Sequence, residues 1–466
     1  MTTFLHDRLT LLRCELLLSA VVVWMAATGG QAAADDDQLV RNPNFTVTHD
    51  EQLPAGWAVW TPAFQDAACV VRATDQGLRI DAPQKPYAVG GVWQELREIT
   101  GEQAYAIQAI CKAERLPCPY RSLTIRLLWT HEGKNVHPAG MLVRGPAVDG
   151  DLLRFRDVLV APKGADGARL SLEVKWPQGG SVCFRQVSVC RTDPPPPRKV
   201  KVGTVYLRPQ KSTPEKNLEL FCQQIDEAGR LGLDIVCLPE AILAVGTPHS
   251  TVDVAEPIPG PASERLGRAA KRNHLWVVAG LMERDGDRVY NTAVLLDREG
   301  KLAGKYRKVH LPREEWQKGI TPGDEYPVFQ TDFGTVAIQV CYDWFFPEIG
   351  TIWGLQGAEI VFAPTWGTTF ADKDGRAEGE TVFRVRARDN GFYLVPSVYD
   401  GSSMIIDPLG KILVSNQGRT GVFWHEIELS QRESLQWVGN WRSIGPRDRM
   451  PASYGPLLSD PPRPNY

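Results

Sequence analysis

Between residues 38 and 192, apolar and polar positions alternate in short stretches. They recur over 57–60, 78–80, 104–109, 123–129, 169–174 and 183–189, with Gly, Pro and Asp clusters between them. Side chains of a strand point to opposite faces in turn, so this period of two predicts half-buried strands. Their number and spacing predict a β-sandwich or jelly roll. Beyond residue 199 the pattern changes. Residues 200–207 form an apolar run, and Leu218, Phe221, Cys222, Ile225 and Ala228 then follow at helical spacing. Further apolar stretches over 234–238, 276–281, 293–296, 335–340, 359–362 and 392–396 predict a layered arrangement of strands and helices. Four consecutive prolines, Pro194 to Pro197, divide the two patterns. Lacking an N–H and locked in φ, they predict a stiff extended linker over 194–198. The chain therefore reads as an α+β multidomain protein: a β-sandwich over 35–193, a second domain over 199–430, and an irregular tail rich in Pro, Arg and Ser over 431–466.

The first residues follow a different logic. Arg8 and Arg13 precede an apolar run over 16–27, and Ala32-Ala33-Ala34 stands before Asp35-Asp36-Asp37. A basic start, a short apolar stretch and a small-residue site predict a signal peptide over 1–34. The run is short for a bilayer span, which needs about 20 apolar residues. The expected location is secreted or periplasmic, with an uncleaved membrane anchor as the alternative.

Composition narrows the function classes. Hydrophobic residues make up 43% of the 466, enough for packed cores. The formal net charge of −3 argues against a general nucleic-acid binder, which needs a basic surface to displace phosphate counterions. Of nine cysteines, Cys14 lies in the expected leader, and five of the rest, Cys69, Cys111, Cys118, Cys183 and Cys190, precede residue 191, so any disulfide is expected in that half. No Cys-x-x-Cys knuckle occurs and the eight histidines are scattered, so neither a metal site nor a cofactor is expected.

Three strings carry candidate chemistry. An apolar strand ends in a carboxylate at Val236-Cys237-Leu238-Pro239-Glu240. A lysine sits in Tyr306-Arg307-Lys308-Val309-His310-Leu311-Pro312. A cysteine opens Cys341-Tyr342-Asp343-Trp344-Phe345-Phe346-Pro347-Glu348. Singly, each has an ordinary reading: a surface turn, a solvated charge, a small buried hydrophobe. Together and in this order they closely resemble the nitrilase, or carbon–nitrogen hydrolase, superfamily. Asn291-Thr292-Ala293, Thr321-Pro322-Gly323-Asp324, Arg386-Ala387-Arg388-Asp389-Asn390 and Ile406-Asp407-Pro408-Leu409-Gly410 fit the same pattern. The resemblance implies an αββα sandwich of the nitrilase type, paired into homodimers or larger homo-oligomers, and a Glu240–Lys308–Cys341 triad. A patterned resemblance also links Asn42-Pro43-Asn44-Phe45, Pro54-Ala55-Gly56-Trp57 and 184–189 to galactose-binding-like modules. Trp57, Trp60, Trp93, Trp129 and Trp176 are its candidates for stacking on a glycan, although most tryptophans are expected in the core.

The chemistry suits these residue types. Only a thiolate attacks carbon, so Cys341 needs a base, and Glu240 is the expected one. Lys308 places a fixed charge where an oxyanion develops, with the Tyr342 backbone N–H as a second donor. Many members of the superfamily carry a second glutamate after the lysine, and Glu315 is expected to fill that place by orienting Lys308 and the substrate. Trp344 and Trp366 are expected to line a pocket for an uncharged or apolar acyl group. The expected function is hydrolysis of a small-molecule amide or N-carbamoyl compound through a cysteine thioester. The alternatives are a nitrilase acting on a cyano group and a non-catalytic glycan-binding protein.

Overall fold

The structure is a computed structural model that describes residues 37–47, 52–136, 140–367, 378–432, 434–435 and 437–458. The leader expected over 1–34 lies outside them. The chain divides into two compact units, one made of residues 1–196 with 434–466, the other of residues 197–433.

In the first unit, two six-stranded antiparallel sheets share one apolar cluster. One sheet centres on the pairing of Gly167–Lys175 with both Val89–Leu96 and Leu123–His131. The other centres on Ala104–Glu114, flanked by Ser181–Thr192 and Leu152–Val160. Alternation does the sorting: Ile107, Ala109 and Cys111 are buried, while Gln108 and Ile110 between them are only half-buried. Trp57 and Trp129 belong to the cluster, but Trp60 and Trp176 are 44% and 38% exposed. Trp93 lies under the Arg169 guanidinium, 4.5 Å from the ring centroid.

The carboxy-terminal stretch departs from expectation. The irregular tail expected over 431–466 instead carries the helix Trp441–Asp448 and two 3-10 turns, Pro451–Ser453 and Gly455–Leu458. Asn440 caps the helix by accepting from the Ser443 N–H at 3.1 Å. Arg447 is buried, and its guanidinium donates to the carbonyls of Tyr120 at 2.5 Å, Leu123 at 3.1 Å and Gly145. The eight described cysteines are all free thiols.

In the second unit, two six-stranded sheets stack face to face. The first runs Leu302–Arg307, Arg288–Leu296, Trp276–Asp285, Ile235–Cys237, Lys199–Tyr206, Gly421–Glu428. The second runs Val328–Gln330, Thr335–Ile338, Ile360–Gly367, Tyr393–Asp400, Met404–Ile406, Ile412–Ser415. The central pairings of each are parallel. Such strands are buried on both faces and read as unbroken apolar runs. Ile235, Cys237, Trp276, Val278, Ala293 and Leu295 join the cluster between the sheets. Their neighbours Val236, Leu238, Val277, Ala279, Val294 and Leu296 face helices Pro214–Arg230 and Pro261–Asn273. Those helices present Leu218, Phe221, Ile225 and Ala228, and Ala262, Leu266, Ala269 and Ala270, at spacings of three and four. Burying a side chain such as Phe221 or Leu266 contributes roughly 1.5–3 kcal/mol. On the far side, Ile349 and Trp353 of Pro347–Leu355 and Phe383 and Ala387 of Glu378–Asn390 pack on the second sheet. The order of layers is helices, sheet, sheet, helices.

Candidate active site

Each candidate residue emerges where a strand gives way to a turn. Glu240 stands three residues beyond Ile235–Cys237, held there because Leu238 donates to the Val278 carbonyl at 2.8 Å and Gly280 donates to the Pro239 carbonyl at 3.0 Å. The approach requires glycine: a Cβ at position 280 would lie 2.5 Å from the Cα of Glu240. Lys308 follows Leu302–Arg307, its N–H bonded to the Asn291 carbonyl at 2.8 Å. Cys341 follows Thr335–Ile338 and opens the 3-10 turn Cys341–Phe345 at φ 45°. Positive φ is uncommon for a residue with a side chain, and this turn lifts the thiol out of the sheet.

These three elements bring the predicted groups together. Lys308 and Glu240 are 1% and 2% exposed, with Nζ 3.1 Å from Glu240 Oε1. The same Nζ lies 2.7 Å from Oε1 of Glu315, the second predicted glutamate. Asn291, quoted in the sequence only as part of a supporting string, bridges both acids: Nδ2 donates to Glu240 Oε1 at 2.7 Å and to Glu315 Oε1 at 2.9 Å. Oε2 of each acid is buried without a hydrogen-bond partner among the described residues. The Tyr399 hydroxyl donates to the Glu240 carbonyl at 2.8 Å, fixing the main chain behind the carboxylate.

Electrostatics separate the roles these groups can take. Burial pushes the Cys341 thiol well above its ordinary value, and the Glu240 carboxylate pushes it further; Lys308 and the Trp366 main chain pull it back only in part. The balance favours the thiol over the thiolate. Burial alone would pull the Lys308 ammonium down, but Glu240 and Glu315 hold it above its ordinary value, so it remains a cation. Burial raises the Glu315 carboxyl, with Lys308 opposing and Glu240 adding to the rise.

Asp343 locks the lysine string to the cysteine turn. Fully buried, it accepts from the Val340 N–H at 3.0 Å and the Tyr306 hydroxyl at 2.8 Å on one oxygen. Its other oxygen accepts from the His310 N–H at 3.0 Å and lies 3.1 Å from His310 Nδ1. His310 stacks on Phe346 with centroids 3.8 Å apart. Both residues stood in the quoted strings, but nothing in their spacing announced this bond set.

The expected pocket residues divide. Tyr342 is half-buried, with its ring against Phe345 and Phe346. Trp366 is half-buried and meets the Tyr399 ring edge-on at 5.4 Å. Trp344 is corrected to a core position: it is 3% exposed, packed on Phe383 and stacked on Phe345 at 3.9 Å, with Phe345 itself exposed. Cys237 is buried in the inter-sheet cluster, away from solvent.

The sequence model of the family described as carbon-nitrogen hydrolase matches residues 201–436. The chain is 29% identical over 242 residues to the omega-amidase NIT2 of Mus musculus, covering 47% of this chain and 86% of that protein. It is 31% identical over 235 residues to the omega-amidase NIT2-A of Xenopus laevis, covering 46% and 83%. It is 33% identical over 224 residues to a nitrilase of Pyrococcus abyssi, covering 47% and 81%. Among solved structures it is similar to Nit3 of Saccharomyces cerevisiae, with 25% identity, a TM-score of 0.44, and coverage of 49% of this chain and 90% of that one.

Proposed function

The chain belongs to the carbon–nitrogen hydrolase family, and from that premise we propose that it hydrolyses a small-molecule amide or N-carbamoyl compound through a thioester on Cys341. The observation that carries this reading is the buried contact of Lys308 with both Glu240 and Glu315 beside a thiol that Glu240 and Lys308 perturb in opposite directions. In the first step Glu240 takes the thiol proton as sulfur bonds to the carbonyl carbon. The Lys308 ammonium and the Tyr342 N–H receive the oxyanion, and a preorganised donor of this kind contributes roughly 3–4 kcal/mol. The C–N bond then breaks as Glu240 returns its proton to the leaving nitrogen. In the second half Glu240 deprotonates water, which attacks the thioester and releases the acid and the Cys341 thiol. Half-buried Trp366, whose main chain acts on the Cys341 thiol, supports an uncharged acyl group. The amidases among the relatives support the amide reading, and the 33% identity to a nitrilase favours a cyano group as the second reading, since nitriles share the thioester route.

Three further parts of the reading rest on the sequence. Residues 1–34 support export to a secreted or periplasmic location, the resemblance supports a homodimer or larger homo-oligomer, and exposed Trp60 supports a glycan contact on the first unit. A panel of amides, carbamoyl amines and nitriles, with ammonia release as readout, tests the activity. Turnover of amides or carbamoyl amines that disappears in Cys341→Ala is the expected result. Turnover of nitriles alone selects the second reading, and no turnover in any class contradicts both.

A further inference from the structure

We propose that Asn291 is a positioning residue that occupies one oxygen of Glu240 and one of Glu315, leaving the second oxygen of each to work on the nucleophile and the substrate. The inference rests on the hydrolase reading above and concerns how its base is aimed.

The geometry is a closed set of four contacts. Oε1 of Glu240 accepts from Asn291 Nδ2 at 2.7 Å and Lys308 Nζ at 3.1 Å; Oε1 of Glu315 accepts from the same two atoms at 2.9 Å and 2.7 Å. One ammonium and one amide thus serve two buried acids. Lys308 alone would leave each carboxylate free to pivot about a single contact. The amide supplies a second point on the same oxygen of each acid, which fixes both planes. With Oε1 doubly engaged, Oε2 is the oxygen of Glu240 with room for a thiol proton, and it is buried with no partner among the described residues. Asn291 does this without adding charge to a site that already holds two acids, a cation and a thiol.

Stability gives little reason for an asparagine here. It is 2% exposed, and its own Oδ1 is buried without a partner among the described residues. An unsatisfied buried carbonyl destabilises the fold, so the side chain is kept for what its N–H groups do. Its backbone carbonyl accepts from the Lys308 N–H at 2.8 Å, so the main chain at 291 places the lysine whatever the side chain.

The test uses the full chain and iodoacetamide, whose reaction at Cys341 is followed by peptide mass spectrometry from pH 5 to 10. The wild type, Asn291→Ala, Asn291→Ser and Glu240→Gln are compared, with a thermal melt of each. A hydrogen bond to a carboxylate favours its charged form. Losing the amide should therefore move the acidic limb of the alkylation profile of Asn291→Ala upward by about one pH unit, a tenfold loss of rate on that limb. Asn291→Ser, which keeps one donor, should fall between and covers the case in which the alanine variant does not fold. A limb that stays at the wild-type position in a folded Asn291 variant overturns the proposal, as does a lower melting temperature with a uniform rate loss at every pH. Glu240→Gln separates the two levels. If it abolishes the acidic limb while the Asn291 variants leave it unmoved, the positioning role alone fails. If it keeps the wild-type limb, the base assignment beneath it fails.

Discussion

Nζ of Lys308 lies 3.1 Å from Oε1 of Glu240, and both side chains are sealed from solvent. In the proposed mechanism that contact bears on which of the two serves as base. A lone lysine in this place would shed its proton under the desolvation penalty. Between two carboxylates it keeps the proton and cannot accept another. Glu240 is left as the group that can relieve the protonated thiol.

Replacing Lys308 by Met should lower turnover by about 10²–10³-fold, the usual loss when an oxyanion donor is removed. It also leaves Glu240 and Glu315 without the charge between them, so one should bind a proton. Steady-state kinetics and proton uptake on folding check both. A Lys308→Met enzyme within tenfold of wild type would remove the lysine from the mechanism.

Asp343 should matter more to folding than its neighbours. Asp343→Ala strips the acceptor from Val340, Tyr306 and His310 together. Breaking a buried network in this way costs about 3–5 kcal/mol. Tyr306→Phe deletes one donor to a charged acceptor, at about 1.5–3 kcal/mol. Urea denaturation of both variants should preserve that order.

Much of this site was legible in the chain, and the reason is local. Glu240 and Cys341 each follow an apolar strand, and all three residues sit in short strings, so order and spacing carry the signal. Asn291 was visible as a string but not as a bridge, because its role depends on two acids 51 and 24 residues away. Trp344 was misplaced because an aromatic after a nucleophile reads equally as pocket wall or core; contact with Phe383, far along the chain, decides it. The helix Trp441–Asp448 was hidden by Gly445 and Pro446, which mask the spacing of Ile444 and Arg447. The bonds of Arg447 to carbonyls about 300 residues earlier supply what propensity withholds.

Arg447 offers a test of that packing. Its guanidinium donates to three carbonyls of the first unit. Arg447→Ala should destabilise that unit by about 2–4 kcal/mol. Hydrogen exchange of the strand Leu123–His131 should rise, while exchange in the second unit stays unchanged.

Glu283 predicts a pH dependence of stability. Burial would raise its carboxyl, but hydrogen bonds from Arg307, Lys305 and Thr292 hold it below the ordinary value. A depressed folded-state value contributes stability that is present above the unfolded glutamate value, about 4.3, and is lost as pH falls through the folded one. Glu283→Gln should therefore melt well below wild type at pH 7, with the gap narrowing below about pH 4. A gap that is constant with pH would assign its effect to packing.

The most direct test of the account is a rapid-quench mass measurement of the protein during turnover of the best amide from the panel. An adduct equal to the acyl group is expected on the peptide that contains Cys341, formed together with the first equivalent of ammonia and absent from Cys341→Ala, which should be folded and inactive. Amide turnover by Cys341→Ala at the wild-type rate, or an acyl adduct on a different residue, would contradict it.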